Sequence, residues 1–226
     1  MKKIILLRHF ESDKNIANRF SSSIDTDSLS IISDDYIKLY SQNLLIINSY
    51  FAIEEIHCSD SLRAFNTAKI ITNKLPYKKI IKHKEFISIK YKSEGISEED
   101  AIRIDPKFIQ GLNLYRKGLY SSYDIKTPIG SESVHDFEVR VINCFNSILR
   151  KNNSQIYLFV LHRSPITSIL INIAREYYNY PKNFFGFIEL DLGKGSLLME
   201  DDNKNISIEA VNEDIDVIMK RIIEQN

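Results

Sequence analysis

Gln155-Ile156-Tyr157-Leu158-Phe159-Val160-Leu161-His162 (QIYLFVLH) is the stretch that decides the fold. Its apolar residues run unbroken from Ile156 and stop at a histidine. A run this short, aromatic and partly β-branched, reads as a strand buried on both faces. Pro165–Tyr177 follows as a helix, with Pro in the first turn where its missing N–H is harmless. Lys2–Leu7 (KKIILL) repeats the pattern and stops at Arg8-His9. Outward from these, Ala52–Cys58 alternates weakly as a second strand, and Lys79–Ile89 holds a third, more polar one. Ser61–Lys74 has helical spacing through Leu62, Ala64, Phe65, Ala68 and Ile71. Val134–Leu149 reads as an amphipathic helix, and Phe187–Leu192 and Ile206–Val211 as later strands. Strands alternating with helices predict an α/β three-layer sandwich, a central mostly parallel sheet flanked by helices. Ligands of such sheets bind beyond the carboxyl ends of strands. His9 and His162 each follow a strand, so they meet if those strands are neighbours.

Composition narrows the function classes. The 226 residues carry 30 Lys+Arg against 30 Asp+Glu, with a pI near 7.0. That balance predicts no nucleic-acid and no membrane partner through the net field. Cys58 and Cys144 are too few for a disulfide scaffold and read as free thiols of a reducing compartment. No apolar run approaches the roughly 20 residues of a membrane span. The run after Met1-Lys2-Lys3 ends at Arg8-His9 without a small-residue cleavage site, so it is not read as a signal peptide. A cytoplasmic location is expected, and a homodimer stays open.

Four motifs stand in order along the chain. The first is Leu7-Arg8-His9-Phe10-Glu11-Ser12-Asp13-Lys14-Asn15. The second is Ser59-Asp60-Ser61-Leu62-Arg63-Ala64-Phe65-Asn66-Thr67-Ala68. Gly130-Ser131-Glu132-Ser133 with Arg140 on the next helix is the third, and Val160-Leu161-His162-Arg163-Ser164 the fourth. Together they resemble the histidine phosphatase superfamily, the phosphoglycerate-mutase-like proteins of branch 1. Its patterns are R-H-G-E-[ST]-x-x-N, S-x-x-x-R-A-x-x-T-A, G-E-S and S-H-G-G. Phe10 replaces the first glycine, and Arg163 and Ser164 replace the last two. The likeness covers most of the chain and implies one domain over residues 1–226, with a lid-like insertion at about 95–129. Tyr115, Tyr120 and Tyr123 in that insertion face either a substrate or the core.

The resemblance assigns roles that suit the residue types. Phosphoryl transfer is mostly positioning and charge stabilisation. Arg8 and Arg63 offer planar forks for phosphate oxygens. His9 attacks phosphorus as a neutral imidazole, giving a phosphohistidine, and its other nitrogen needs an acceptor to fix the tautomer. His162 donates to the transferred group. Asn15 and Ser12 bind substrate, although each also reads as a local cap. No metal and no cofactor is expected.

The family commonly takes its general acid from a Glu after the third strand. Ser88 stands at that position here, and serine is no acid near neutral pH. Glu85, three residues earlier, is the preferred substitute and Glu94 the second candidate; a solvated surface charge is the competing reading of Glu85. His57, His83 and His135 match no catalytic position and read as structural or surface residues. Cys58 is followed by Arg63 one residue too early for a cysteine phosphatase loop. The implied function is hydrolysis of a small phosphomonoester. Phosphoglycerate-mutase-type transfer and a phosphate-binding regulatory protein are the alternatives.

Overall fold

The computed structural model describes residues 1–12, 15, 29–30, 32, 34–76, 78–92, 95–151, 154–179 and 188–225. Six strands form one sheet: β1 (Lys2–Arg8), β2 (Glu55–Ser59), β3 (Lys79–His83), β4 (Ile156–Leu161), β5 (Gly195–Glu200) and β6 (Ile206–Glu213). Their order across the sheet is β3-β2-β4-β1-β5-β6. The β3-β2, β2-β4 and β4-β1 pairs are parallel, whereas β5 and β6 run antiparallel. The helices are α1 (Asp34–Tyr50), α2 (Leu62–Ile71), α3 (Glu98–Ile104), α4 (Pro106–Arg116), α5 (Val134–Lys151), α6 (Arg163–Tyr177) and α7 (Ile215–Glu224).

The period of two in the central strands sorts their side chains between two cores. Ile5 and Leu7 of β1 join Ile156, Leu158 and Val160 of β4 under α1, α2 and α7. Ile4 and Leu6 join Tyr157, Phe159 and Leu161 under α5 and α6. Each such side chain, fully buried, adds about 1.5–3 kcal/mol. Both strands therefore need apolar residues on both faces, which is why they read as unbroken runs.

Residues 95–129 build α3, α4 and a short 3-10 turn, Ser122–Asp124, around a small core of Ala101, Phe108, Ile109, Leu112 and Ile125. Tyr115 packs between that core and the α5–α6 side of the sheet, Tyr120 is exposed, and the Tyr123 hydroxyl donates to Glu138.

Two expectations need correction. Of the strand read over Phe187–Leu192, residues 188–192 lie in no strand; Phe187 lies outside the described residues. The strand falls at Gly195–Glu200, where all six residues are buried against β1 and β6. The expected strand over Lys79–Ile89 ends at His83 and turns into a 3-10 helix, Lys84–Phe86, capped by the Ile87 N–H to the Lys84 carbonyl.

Candidate active site

Parallel pairing of β1 with β4 sets Arg8 opposite Leu161, and the His9 N–H donates to the Leu161 carbonyl at 2.9 Å. His9 and His162 therefore leave adjacent strand ends, and their rings meet edge to face with centroids 4.9 Å apart. Arg63 enters from the first turn of α2, which Ser61 caps by accepting the Ala64 N–H. His9, Arg63 and His162 are all at most 3% exposed.

Hydrogen bonds fix the protons. Arg63 has only donors, so its Nε–H donates to His9 Nε2 at 3.3 Å and its Nη2 to His162 Nδ1 at 3.3 Å. The remaining His9 proton is then on Nδ1, which donates to the Phe10 carbonyl at 2.6 Å. The remaining His162 proton is on Nε2, donated to Ser59 Oγ at 2.9 Å. Burial and the Arg63 charge hold both imidazoles well below the usual histidine pKa. His9 thus presents a neutral Nε2 lone pair beside a guanidinium.

Arg8 adds a second cation. Its Nη1 donates to the Leu190 carbonyl, and its buried Nε has no hydrogen-bond partner among the described residues. Burial, with the charges of Arg163 and Arg63, pulls its pKa down to about 10, while Asp191 acts the other way. An anion among these guanidinium groups lessens their mutual repulsion and takes up a buried donor that is costly to leave unused.

The backbone around His9 is held by residues whose roles were not read from the sequence. Thr67 Oγ1 accepts the Phe10 N–H at 3.1 Å and donates to the Arg63 carbonyl at 2.8 Å, tying the first motif to α2. The Gly193 N–H approaches the Arg8 and His9 carbonyls at 3.2 and 3.3 Å. Ser59 and Thr67 both belong to the second motif, whose spacing was the available signal. Gly193 had none. Phe10 is core: its ring, 2% exposed, packs on Tyr36 and Tyr40.

The other expected site residues divide. Asn15 Oδ1 accepts from both the N–H and the hydroxyl of Ser12, leaving the Asn15 amide N–H groups as donors. Ser12 is buried and orients Asn15. Arg140 pairs with Glu132 and donates to the Glu85, Ile87 and Ser88 carbonyls, pinning the loop that holds Ser88. Glu85 itself is exposed on the 3-10 turn. Its carboxylate lies within 4.8 Å of the ligand atoms of His83 and Cys144, and no described contact joins it to His9, Arg63 or His162. Glu94 lies outside the described residues. Cys58 packs in the core away from the histidines, and burial pushes its thiol up to about 12.

No described helix is long and apolar enough to cross a membrane. A search of curated proteins finds no match. Among solved structures the chain resembles Bacillus stearothermophilus YhfR at TM-score 0.75 and 16% identity, over 94% of this chain and 98% of that one. It resembles a mycobacterial glucosyl-3-phosphoglycerate phosphatase at TM-score 0.71 and 15% identity, over 94% and 100%. It resembles the α-ribazole phosphatase of Shigella flexneri at TM-score 0.67 and 19% identity, over 93% and 96%. At these identities the likeness speaks for the fold. The family assignment comes from the sequence: residues 4–186 match the model of the histidine phosphatase superfamily, branch 1. With His9, His162, Arg8 and Arg63 gathered at the ends of β1, β4 and the start of α2, the chain belongs to branch 1 of the histidine phosphatase superfamily.

Proposed function

We propose that the chain hydrolyses a small phosphomonoester through a phosphohistidine on His9. The observation that carries this reading is the tautomer of His9. Its Nδ1–H is committed to the Phe10 carbonyl, so the lone pair sits on Nε2, where it accepts from Arg63 Nε until phosphorus takes that place. Nε2 attacks phosphorus in line, and the bond from phosphorus to the ester oxygen breaks. The leaving oxygen keeps the bonding pair and takes its proton from solvent. Water then attacks phosphorus, the N–P bond breaks, and inorganic phosphate leaves with His9 neutral again. Arg8, Arg63 and the Asn15 amide hold the oxygens of the transferred group; His162 accepts from Arg63 and orients it, and Ser12 holds Asn15.

Because Glu85 meets His83 and Cys144, it is given no part in leaving-group protonation. Esters whose leaving group departs readily are the favoured substrates, since a placed acid is worth about 10²–10⁴-fold. The segment 95–129 serves as the lid, and the two free cysteines suit a reducing, cytoplasmic setting.

The test is p-nitrophenyl phosphate hydrolysis in excess chelator by wild type and His9→Ala. Turnover by wild type that vanishes in His9→Ala is expected. Equal turnover by both proteins contradicts the assignment. Phosphate binding by folded wild type without turnover moves the reading to a binding protein.

A further inference from the structure

A second cluster of ligating side chains lies apart from the catalytic pair, on the outer side of β3. His83, Glu85 and Cys144 place their ligand atoms within 4.8 Å of one another. They line a cavity of about 600 Å³ together with Glu55, His57 and Arg140. Cys144 comes from α5, whereas His83 ends β3 and Glu85 sits on the 3-10 turn that follows. We propose that His83, Glu85 and Cys144 form a binding site for a borderline transition-metal cation, Zn²⁺ above all, with its fourth position open to the cavity.

The geometry fits the ion. His83 Nδ1 and Cys144 Sγ are 3.7 Å apart. Zn–S of about 2.3 Å and Zn–N of about 2.0–2.1 Å at a tetrahedral angle require about 3.6 Å. The other ring nitrogen of His83 is already engaged. Its Nε2 lies 3.0 Å from His57 Nδ1, and His57 Nε2 lies 3.8 Å from a Glu55 oxygen. A proton on His83 Nε2, donated to His57, leaves Nδ1 with its lone pair turned toward Cys144. The His83–His57 hydrogen bond is of the kind that orients a ligating histidine, while His57 Nε2 itself has no hydrogen-bond partner among the described residues.

The donor set selects the ion class. One thiolate, one imidazole and one carboxylate suit Zn²⁺ or Co²⁺, whereas Mg²⁺ and Ca²⁺ ask for oxygen ligands. In the absence of metal, burial raises the Cys144 thiol to about 11 and the Glu85 charge adds to this. A dication reverses that balance, and binding releases the thiol proton. Glu85 is exposed, so the site has an entry path. Of the cations lining the cavity, Arg140 is held by Glu132 and by the Glu85, Ile87 and Ser88 carbonyls, and Lys151 acts on Cys144. The site joins β3 to α5, so its expected effect is on stability. It is independent of phosphohistidine chemistry.

The test uses the full chain, reduced and stripped with chelator, then titrated with Co²⁺. One equivalent should produce thiolate-to-cobalt charge-transfer absorption in the near ultraviolet. The His9–His162 pocket offers no thiolate, so this signal reports the second site. Cys144→Ser should abolish the absorption, and Zn²⁺ should displace Co²⁺ and raise the melting temperature of wild type alone. Hydrolysis by Cys144→Ser should match that of wild type. Where Cys144→Ser does not fold, Glu85→Gln should weaken cobalt binding at least tenfold. Absence of the absorption in wild type with its thiols reduced overturns the proposal, as does its persistence in folded Cys144→Ser or unweakened binding in Glu85→Gln.

Discussion

The proton on His9 Nδ1 and the fork of Arg63 make the pocket. Arg63 donates from Nε to the His9 ring and from Nη2 to the His162 ring. A lysine carries the charge but only one donor centre, on a flexible stem. Arg63→Lys should therefore lower kcat/KM by about 10²–10³-fold, the range seen when a preorganised donor is removed. Steady-state kinetics with p-nitrophenyl phosphate checks this. A loss under threefold would mean that Arg63 is not aimed at the transferred group. The residue-scale reading from sequence was strongest here, since His9, His162, Arg8 and Arg63 were all named by motif. It left the acid unplaced, because the motif supplies Ser88, Glu85 lies beside His83 and Cys144, and Glu94 lies outside the described residues. The acceptor of the His9 proton was invisible for a different reason. It is a backbone carbonyl, and every residue has one.

At the scale of elements, the turn before β5 controls the end of β1. Gly193 has φ +74°, and a Cβ there would stand 2.7 Å from Tyr36 Oη and 3.1 Å from the Phe10 ring. The ring that replaces the family glycine after His9 thus fits because residue 193 has no side chain. Gly193→Ala should cost about 1–3 kcal/mol from backbone strain and crowding. Urea denaturation measures it, and an unchanged midpoint would show that the turn has room to spare.

Elements buried on both faces were legible from their unbroken runs, as β1 and β4 show. The spacing over Ser61–Lys74 located α2 to within a few residues, and its cap Ser61 marks the true start. The run Phe187–Leu192 misled because a short apolar stretch does not distinguish a strand from a covered loop. Leu190 is indeed buried, but its carbonyl serves Arg8 and its segment pairs with no strand. Helices α1 and α7 were not read at all; their core-facing residues, such as Tyr40, Leu44 and Ile47 on α1, pack on a sheet face assembled from distant segments.

Over the whole molecule, four histidines are held below their usual pKa, chiefly by burial: His9, His57, His83 and His162. Above about pH 6.5 they are neutral in both folded and unfolded chains. As the pH falls below that value the unfolded chain takes up protons that the folded chain refuses. Stability is thus full above pH 6.5 and declines toward the folded pKa values. His57, 2% exposed and held at about 4, should by itself cost roughly 2 kcal/mol between pH 7 and 5. Chemical denaturation in chelator at the two pH values checks this, and equal stability at both would contradict the neutral assignment. The same fold-level arrangement explains why distant motifs form one site: the order β3-β2-β4-β1 makes neighbours of strands far apart in the chain.

The most direct test of the central claim is the stereochemical course at phosphorus. Wild-type protein would hydrolyse an aryl phosphorothioate made chiral at phosphorus with two oxygen isotopes, in water carrying the third, and the configuration of the inorganic thiophosphate released would be read by phosphorus NMR. Two in-line displacements, first by His9 Nε2 and then by water, predict net retention. Net inversion would mean that water attacks the substrate directly, with His9 outside the covalent path.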